Sequence, residues 1–192
     1  METGGTEDAR LVKVSKYLSK HLRHDPEGLG LTLAPGGWVG VADLLAACAR
    51  RRFSLSRAEL EEVVARNSKQ RFSFDPGGTM IRANQGHSVA VDLQLSPAVP
   101  PTVLYHGTGH QTAAIVERAG LDRMRRHHVH LSADLETARA VGARHGRPVV
   151  FEVDALGMAA AGHLFYRSEN GVWLTDAVPP EFLRLSQAEI RL

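Results

Sequence analysis

Leu11, Val14, Leu18 and Leu22 recur at steps of three and four residues, with Lys13, Lys16 and Lys20 off that stripe. This spacing predicts an amphipathic helix starting near Asp8. The polar residues 1–8 before it are expected to be disordered. Asp25-Pro26 ends the helix, because the residue before a proline is pushed out of helical geometry. Arg23 and His24 therefore fall at its C-terminal end, where cations meet the helix dipole favourably. Beyond LAPGG and Trp38, the positions Val41, Leu44, Leu45 and Cys48 predict a second helix closed by Arg50-Arg51-Arg52. Ser56 and Glu59 form a capping box for a third, carrying Leu60, Val63 and Val64. RFSFDPGGTMIRA alternates on both sides of Asp-Pro-Gly-Gly, which predicts a hairpin with Phe72 and Phe74 on one face and Arg71 and Ser73 on the other.

Three helices and a hairpin in the first ninety residues point to a winged-helix lobe. NQGHSVAVDLQLSPAVPP, residues 84–101, predicts a short strand and then a linker at Pro97–Pro101. Asn84–Ser88 within it reads equally as an anion-binding nest of backbone amides or as a polar turn. The pattern then changes to short strands separated by helices. Val103-Leu104-Tyr105 leads into His106-Gly107-Thr108, where glycine is expected to let a ligand approach the backbone. A helix from about Gln111 stops at Gly120. A second, from about Asp134 to His145, is capped by Ser132 or Asp134 and ended by Gly146. Pro148–Asp154, Phe165-Tyr166 and Val172-Trp173-Leu174 predict strands, the last two joined by a turn at Glu169-Asn170-Gly171. The class is α+β, with residues 9–96 in one lobe, 97–101 as linker and 102–192 in the other.

Composition adds little beyond a globular chain: 192 residues, a net charge of +2 and one cysteine. The single cysteine fits a reducing cytoplasm, and no apolar run is long enough to predict a membrane span. Charge is informative through its placement at Lys16–His24, Arg50–Arg52 and Arg123–His130. MRRHHVHLS, residues 124–132, is the densest cluster. Its alternation puts His128, His130 and Ser132 on one strand face and Val129 and Leu131 on the other, an arrangement suited to a phosphate-rich ligand. His128 and His130 alone do not complete a zinc set. Neither a P-loop nor GxGxxG is present.

LSKHLRHDP, KQRFSF, NQGHSV, LYHGT, MRRHHVHLS, VGARHG and SENGVWLTDAVPPEFL, in this order, resemble the KptA-type, or tRNA, RNA 2′-phosphotransferases from about Leu18 to Leu183. The resemblance implies a winged-helix RNA-binding lobe followed by a lobe of the NAD-dependent ADP-ribosyltransferase fold, and a role in tRNA processing. The implied reaction removes an internal RNA 2′-monophosphate. The phosphate attacks the nicotinamide ribose of NAD, nicotinamide leaves, and RNA-2′-phospho-ADP-ribose yields RNA and ADP-ribose 1″,2″-cyclic phosphate.

Matched motif by motif, the family's catalytic residues fall on Arg23, His24, Arg71 and Arg126, and its NAD pocket on His106, Gly107, Thr108, His130 and Ser132. NAD is a consumed co-substrate, no metal is expected, and no obligate protein partner is indicated. Three arginines suit a doubly charged phosphate because the guanidinium fork stays charged and bonds its oxygens in pairs. Glu169 reads as structural, since a phosphate dianion needs no base to become a nucleophile. His87, His110, His127, His145 and His163 are expected mostly at surfaces and turns. Two other functions are weighed: an ADP-ribosyltransferase that caps nucleic-acid phosphate ends, and a non-enzymatic winged-helix regulator of nucleic acid.

Overall fold

Val14, Leu18 and Leu22 are fully buried on one face of helix α1 (Gly4–Arg23) in the computed structural model, which describes residues 4–186. The helix begins four residues before the expected Asp8, so residues 4–8 belong to an element and were wrongly read as disordered; residues 1–3 lie outside the described range. The chain divides into two units between Gln94 and Leu95.

In the first unit, β1 (Trp38–Gly40) leads into α2 (Val41–Arg50) and α3 (Arg57–Ala65), followed by the hairpin β2 (Phe72–Phe74) and β3 (Met80–Ala83). The three strands form an antiparallel sheet in the order β1-β3-β2, with Val39 opposite Ile81 and Phe72 opposite Ala83. Val14, Leu18, Leu44, Cys48, Leu60 and Ile81 share its core. Ser56 Oγ accepts the Glu59 amide as expected. The Glu59 carboxylate instead takes the Arg10 guanidinium at 2.5 Å, joining α3 to α1. The hairpin turn is built on Asp75, whose carboxylate accepts the Met80 amide at 2.7 Å and the Gly77 amide at 3.3 Å.

Residues 84–96 do not form the short strand expected ahead of the linker. Single bonds hold this segment: the Asp92 carbonyl accepts the Gly36 amide, and Leu93 is buried. With no neighbouring strand in register, period-two patterning has nothing to pair with.

The second unit runs β4 (Val103–Gly109), α4 (His110–Ala119), β5 (Leu121–Asp122), β6 (Val129–Leu131), α5 (Leu135–Gly142), β7 (Pro148–Asp154), α6 (Ala155–Ala160), β8 (Tyr166–Arg167), β9 (Trp173–Thr175), β10 (Ala177–Val178) and β11 (Leu183–Leu185). Two three-stranded sheets, β11-β7-β4 and β6-β9-β8, are accompanied by the pair β10-β5. The described strand pairings are antiparallel, and the class is α+β. Asp134, rather than Ser132, caps α5 through the Thr137 amide at 2.7 Å. Pro97, expected in a linker, bridges to Tyr166, and the Ala98 amide bonds the Phe165 carbonyl.

Gly107 has a packing reason for lacking a side chain. The space a Cβ would fill is taken by the Ala138 carbonyl of α5, and at Gly109 by the His145 carbonyl. The missing side chains bring helical backbone against that face of β4. Gly107→Ala forces backbone apart in a closely packed unit, which costs about 3 kcal/mol. Calorimetric unfolding of the full chain should show a lower midpoint for this variant, and an unchanged midpoint would contradict the packing account.

Candidate functional site

The C-terminal turn of α1 delivers Arg23 and His24 to a cavity of about 630 Å³, and the loop between α3 and β2 delivers Arg71 to the same cavity. Lys16, Lys20, Arg66 and Lys69 also line it, with no carboxylate among the described lining residues. Such a wall concentrates positive potential where anions arrive. Arg71 follows Gln70, whose φ of 41° turns the chain sharply. Asn84 secures this turn: its amide donates to the Arg71 carbonyl at 2.9 Å and its Nδ2 to the Gln70 carbonyl at 2.7 Å. Asn67 Oδ1 then accepts from Arg71 Nη1 at 3.2 Å.

Ser88 performs the matching task for the other two residues. Its amide donates to the Arg23 carbonyl at 2.9 Å, and its hydroxyl lies 2.9 Å from His24 Nδ1. Gly86, at φ 87°, packs against the Arg23 side chain. Asn84–Ser88 is therefore a brace for Arg23, His24 and Arg71. His87 within it is 1% exposed, correcting its placement at a surface or turn. Asn84 and Ser88 were missed as site residues. The polar run NQGHS marked the segment, but their partners lie 13 to 65 positions away.

In the second unit, His106 and Thr108 occupy one face of β4, because Gly107 turns the other toward α5 and Gly109 turns it toward His145 in the turn that follows α5. Thr108 Oγ1 meets Thr112 Oγ1 at 2.7 Å. His106 Nδ1 lies 3.2 Å from the His130 carbonyl, which can only accept, so Nδ1 carries the hydrogen and neutral His106 has its acceptor at Nε2. Arg126 Nη1 meets His130 Nδ1 at 3.3 Å. A guanidinium only donates, so His130 Nδ1 is the acceptor and Nε2 carries the hydrogen. The two imidazoles thus carry their hydrogens on opposite ring nitrogens, Nδ1 in His106 and Nε2 in His130. Arg126, rather than its neighbour Arg125, makes this contact.

Ser132 exchanges two backbone bonds with Tyr105, at 2.8 and 2.9 Å, joining β4 to the chain just beyond β6. His128, expected to share a strand face with His130, contacts the Tyr166 ring and lies 4.0 Å from Asp176. Glu169 is exposed in the turn between β8 and β9.

Burial holds His106 below the ordinary imidazole pKa, with the His130 carbonyl opposing and Arg126 and His145 reinforcing. Burial also lowers His128, with Asp176 opposing and His127 and Arg123 reinforcing. Both are protonated more readily in the unfolded chain. Their contribution to stability is present above about pH 6.5 and is lost as pH falls through the folded-state values. The thermal midpoint should fall between about pH 7.5 and 5.5, and His106→Asn should remove part of that fall. An identical pH dependence in this variant would exclude His106 as a contributor.

The family model described as "RNA 2'-phosphotransferase, Tpt1 / KptA family" matches residues 9–177. A curated protein from Nostoc punctiforme is 62% identical over 177 residues, covering 92% of this chain and 98% of its own. One from Trichormus variabilis is 63% identical over 179 residues, 93% and 98% of the two chains. A third, from Streptomyces griseus, is 59% identical over 186 residues, again 93% and 98%. Each bears the name "Probable RNA 2'-phosphotransferase". The chain belongs to the RNA 2′-phosphotransferase family and is a transferase.

Proposed function

We propose that this enzyme removes an internal 2′-monophosphate from RNA by transferring it to NAD. The observation that carries the reading is the delivery of Arg23, His24 and Arg71 to one cation-lined cavity by separate elements. A phosphate dianion is the ligand such a wall stabilises best. In this reading the first unit is the winged-helix RNA-binding lobe and the second is the ADP-ribosyltransferase-like lobe.

The second unit's donor set fits NAD. Neutral His106 offers an acceptor for a ribose hydroxyl and Arg126 offers charge for an anionic group, with His130 holding both side chains through its carbonyl and its Nδ1. Thr108, Ser132 and the Gly107 backbone complete the proposed pocket. No role in proton removal is assigned to the exposed Glu169, because the attacking phosphate carries no proton that must leave.

A 2′-phosphate oxygen of the RNA bonds to C1″ of the nicotinamide ribose, and the electron pair of the broken glycosidic bond departs with nicotinamide. This step demands alignment above all. The 2″-hydroxyl oxygen then bonds to phosphorus as the bond to the RNA 2′-oxygen breaks. The hydroxyl proton is balanced by protonation of that departing oxygen. RNA with a 2′-hydroxyl and ADP-ribose 1″,2″-cyclic phosphate result. In the second step negative charge grows on the phosphate and leaving oxygen, where each charge-assisted bond contributes about 1.5–3 kcal/mol. His24 donates to the leaving oxygen through Nε2, with its ring held by Ser88 at Nδ1.

Incubation with NAD and a 2′-phosphorylated oligoribonucleotide should release nicotinamide and 2′-hydroxyl RNA in equal amounts. A nucleic-acid-binding regulator releases none, and a capping enzyme stops at ADP-ribosylated RNA. His24→Ala and Arg71→Ala should slow the second step more than the first and accumulate RNA-2′-phospho-ADP-ribose on gels of labelled RNA. Arg126→Ala should depress both steps. Loss of nicotinamide release in His24→Ala and Arg71→Ala, with no intermediate, would refute this division. Activity should also persist in EDTA, since the arginines provide the positive charge that Mg²⁺ often provides in phosphate chemistry. Inactivation by EDTA with recovery on adding Mg²⁺ would show the opposite.

A further inference from the structure

The cavity that receives Arg23, His24 and Arg71 extends well past them. One wall is the face of α1 back to Leu11 and Val12, and the other includes Val63 and the residues from Arg66 to Lys69. Thirteen helical steps separate Leu11 from His24, a length of about 20 Å at 1.5 Å per residue. That is far more than one phosphate occupies. The lining also changes character along α1. Cations dominate beside Arg23, the hydroxyls of Ser15 and Ser19 alternate with Lys16 and Lys20, and Leu11 and Val12 close the far end. Val12 is 53% exposed, so its side chain is open to contact at that end.

We propose that this groove is a subsite for the single RNA strand flanking the 2′-phosphorylated nucleotide, a proposal that rests on the reading of Arg23, His24 and Arg71 as the 2′-phosphate site. Lys16 meets a backbone phosphate, Ser15 and Ser19 meet sugar hydroxyls, and Leu11 and Val12 meet the face of a base. Hydroxyl and lysine contacts suit a ribose-phosphate backbone. An apolar end suits an unstacked base, which a single strand offers and a continuous duplex does not. Lys20 lies 3.8 Å from Asp25, and Arg66 pairs with Asp8 and Glu62 at 2.9 and 2.7 Å. Lys16 is thus the informative cation to change. Lys13, on the same helix and outside the groove lining, is its control.

The experiment compares Lys16→Ala and Lys13→Ala on an octaribonucleotide and a dinucleotide, each with a 2′-phosphate. For the octamer, Lys16→Ala should raise KM several-fold, with the change falling on KM rather than kcat. The log–log salt dependence of kcat/KM should become shallower by about 0.7, the contribution of one phosphate contact to a single strand. The loss should shrink on the dinucleotide, and Lys13→Ala should affect the octamer far less. Equal losses in the two variants would mean general electrostatic attraction and overturn the subsite. Equal losses on the two substrates would overturn it as well. Annealing a complementary strand to the octamer should raise KM for the unchanged enzyme; an unchanged KM would exclude the single-strand assignment. If the unchanged enzyme releases no nicotinamide from any substrate, the functional reading fails by itself. Fluorescence anisotropy with the unphosphorylated octamer still tests the groove, where binding weakened equally by both variants overturns it.

Discussion

Helix α5 rests on the bare backbone of β4, and much of the second unit follows from that contact. Glycine stands at 107 and 109 on the strand and at 142 on the helix, and the carbonyls of Ala138 and His145 occupy the places of absent Cβ atoms. Interiors pack at near-crystalline density, so such a contact admits little sliding. It fixes which face of β4 is closed, and strand alternation then assigns His106 and Thr108 to the opposite face. There His106 reaches the His130 carbonyl, and Arg126 sets the tautomer of His130. A packing constraint on one side of a strand becomes a hydrogen-bond pattern on the other.

The first unit solves a different problem: holding cationic side chains close to one another before any anion arrives. The structural answer is backbone restraint. Ser88 bonds the Arg23 carbonyl and Asn84 bonds the carbonyls of Gln70 and Arg71, so the chain at both supplying segments is fixed. Ordering a long side chain costs up to about 2 kcal/mol. Restraint applied during folding lowers what remains to be ordered in any state that fixes these side chains. The buried core of α1, α2, α3 and the β-sheet anchors this arrangement, and the Arg10–Glu59 pair joins the two helices that supply its walls.

What could be read from the sequence was local in origin. The stripe on α1, the Asp75 turn and the strand Pro148–Asp154 each depend on residues within a few positions of one another, and the matching elements occur in the structure. Helix α6 was not predicted, and the two-residue strands β5 and β10 are too short to show a period. The short strand expected between residue 84 and the linker failed for the converse reason: the local pattern was read, but no pairing neighbour stood beside it. The Asn84–Ser88 brace and the close packing at Gly107 were hidden because both depend on contacts distant in sequence. Motif order brought His106, His130 and Arg126 into view, yet only coordinates give the hydrogen positions that distinguish the two imidazoles.

The bond exchange between Tyr105 and Ser132 has a mechanical consequence. It joins sheet β11-β7-β4 to the strand end of sheet β6-β9-β8 through one residue pair. The His106–His130 contact crosses beside it. That rung sets the alignment of the two sheets at this point, while the shared apolar core of Leu104, Leu131, Val153, Phe165 and Trp173 carries the rest of their contact. The histidine pair lies beside the rung, so its spacing is tied to two backbone bonds rather than to side-chain packing farther away.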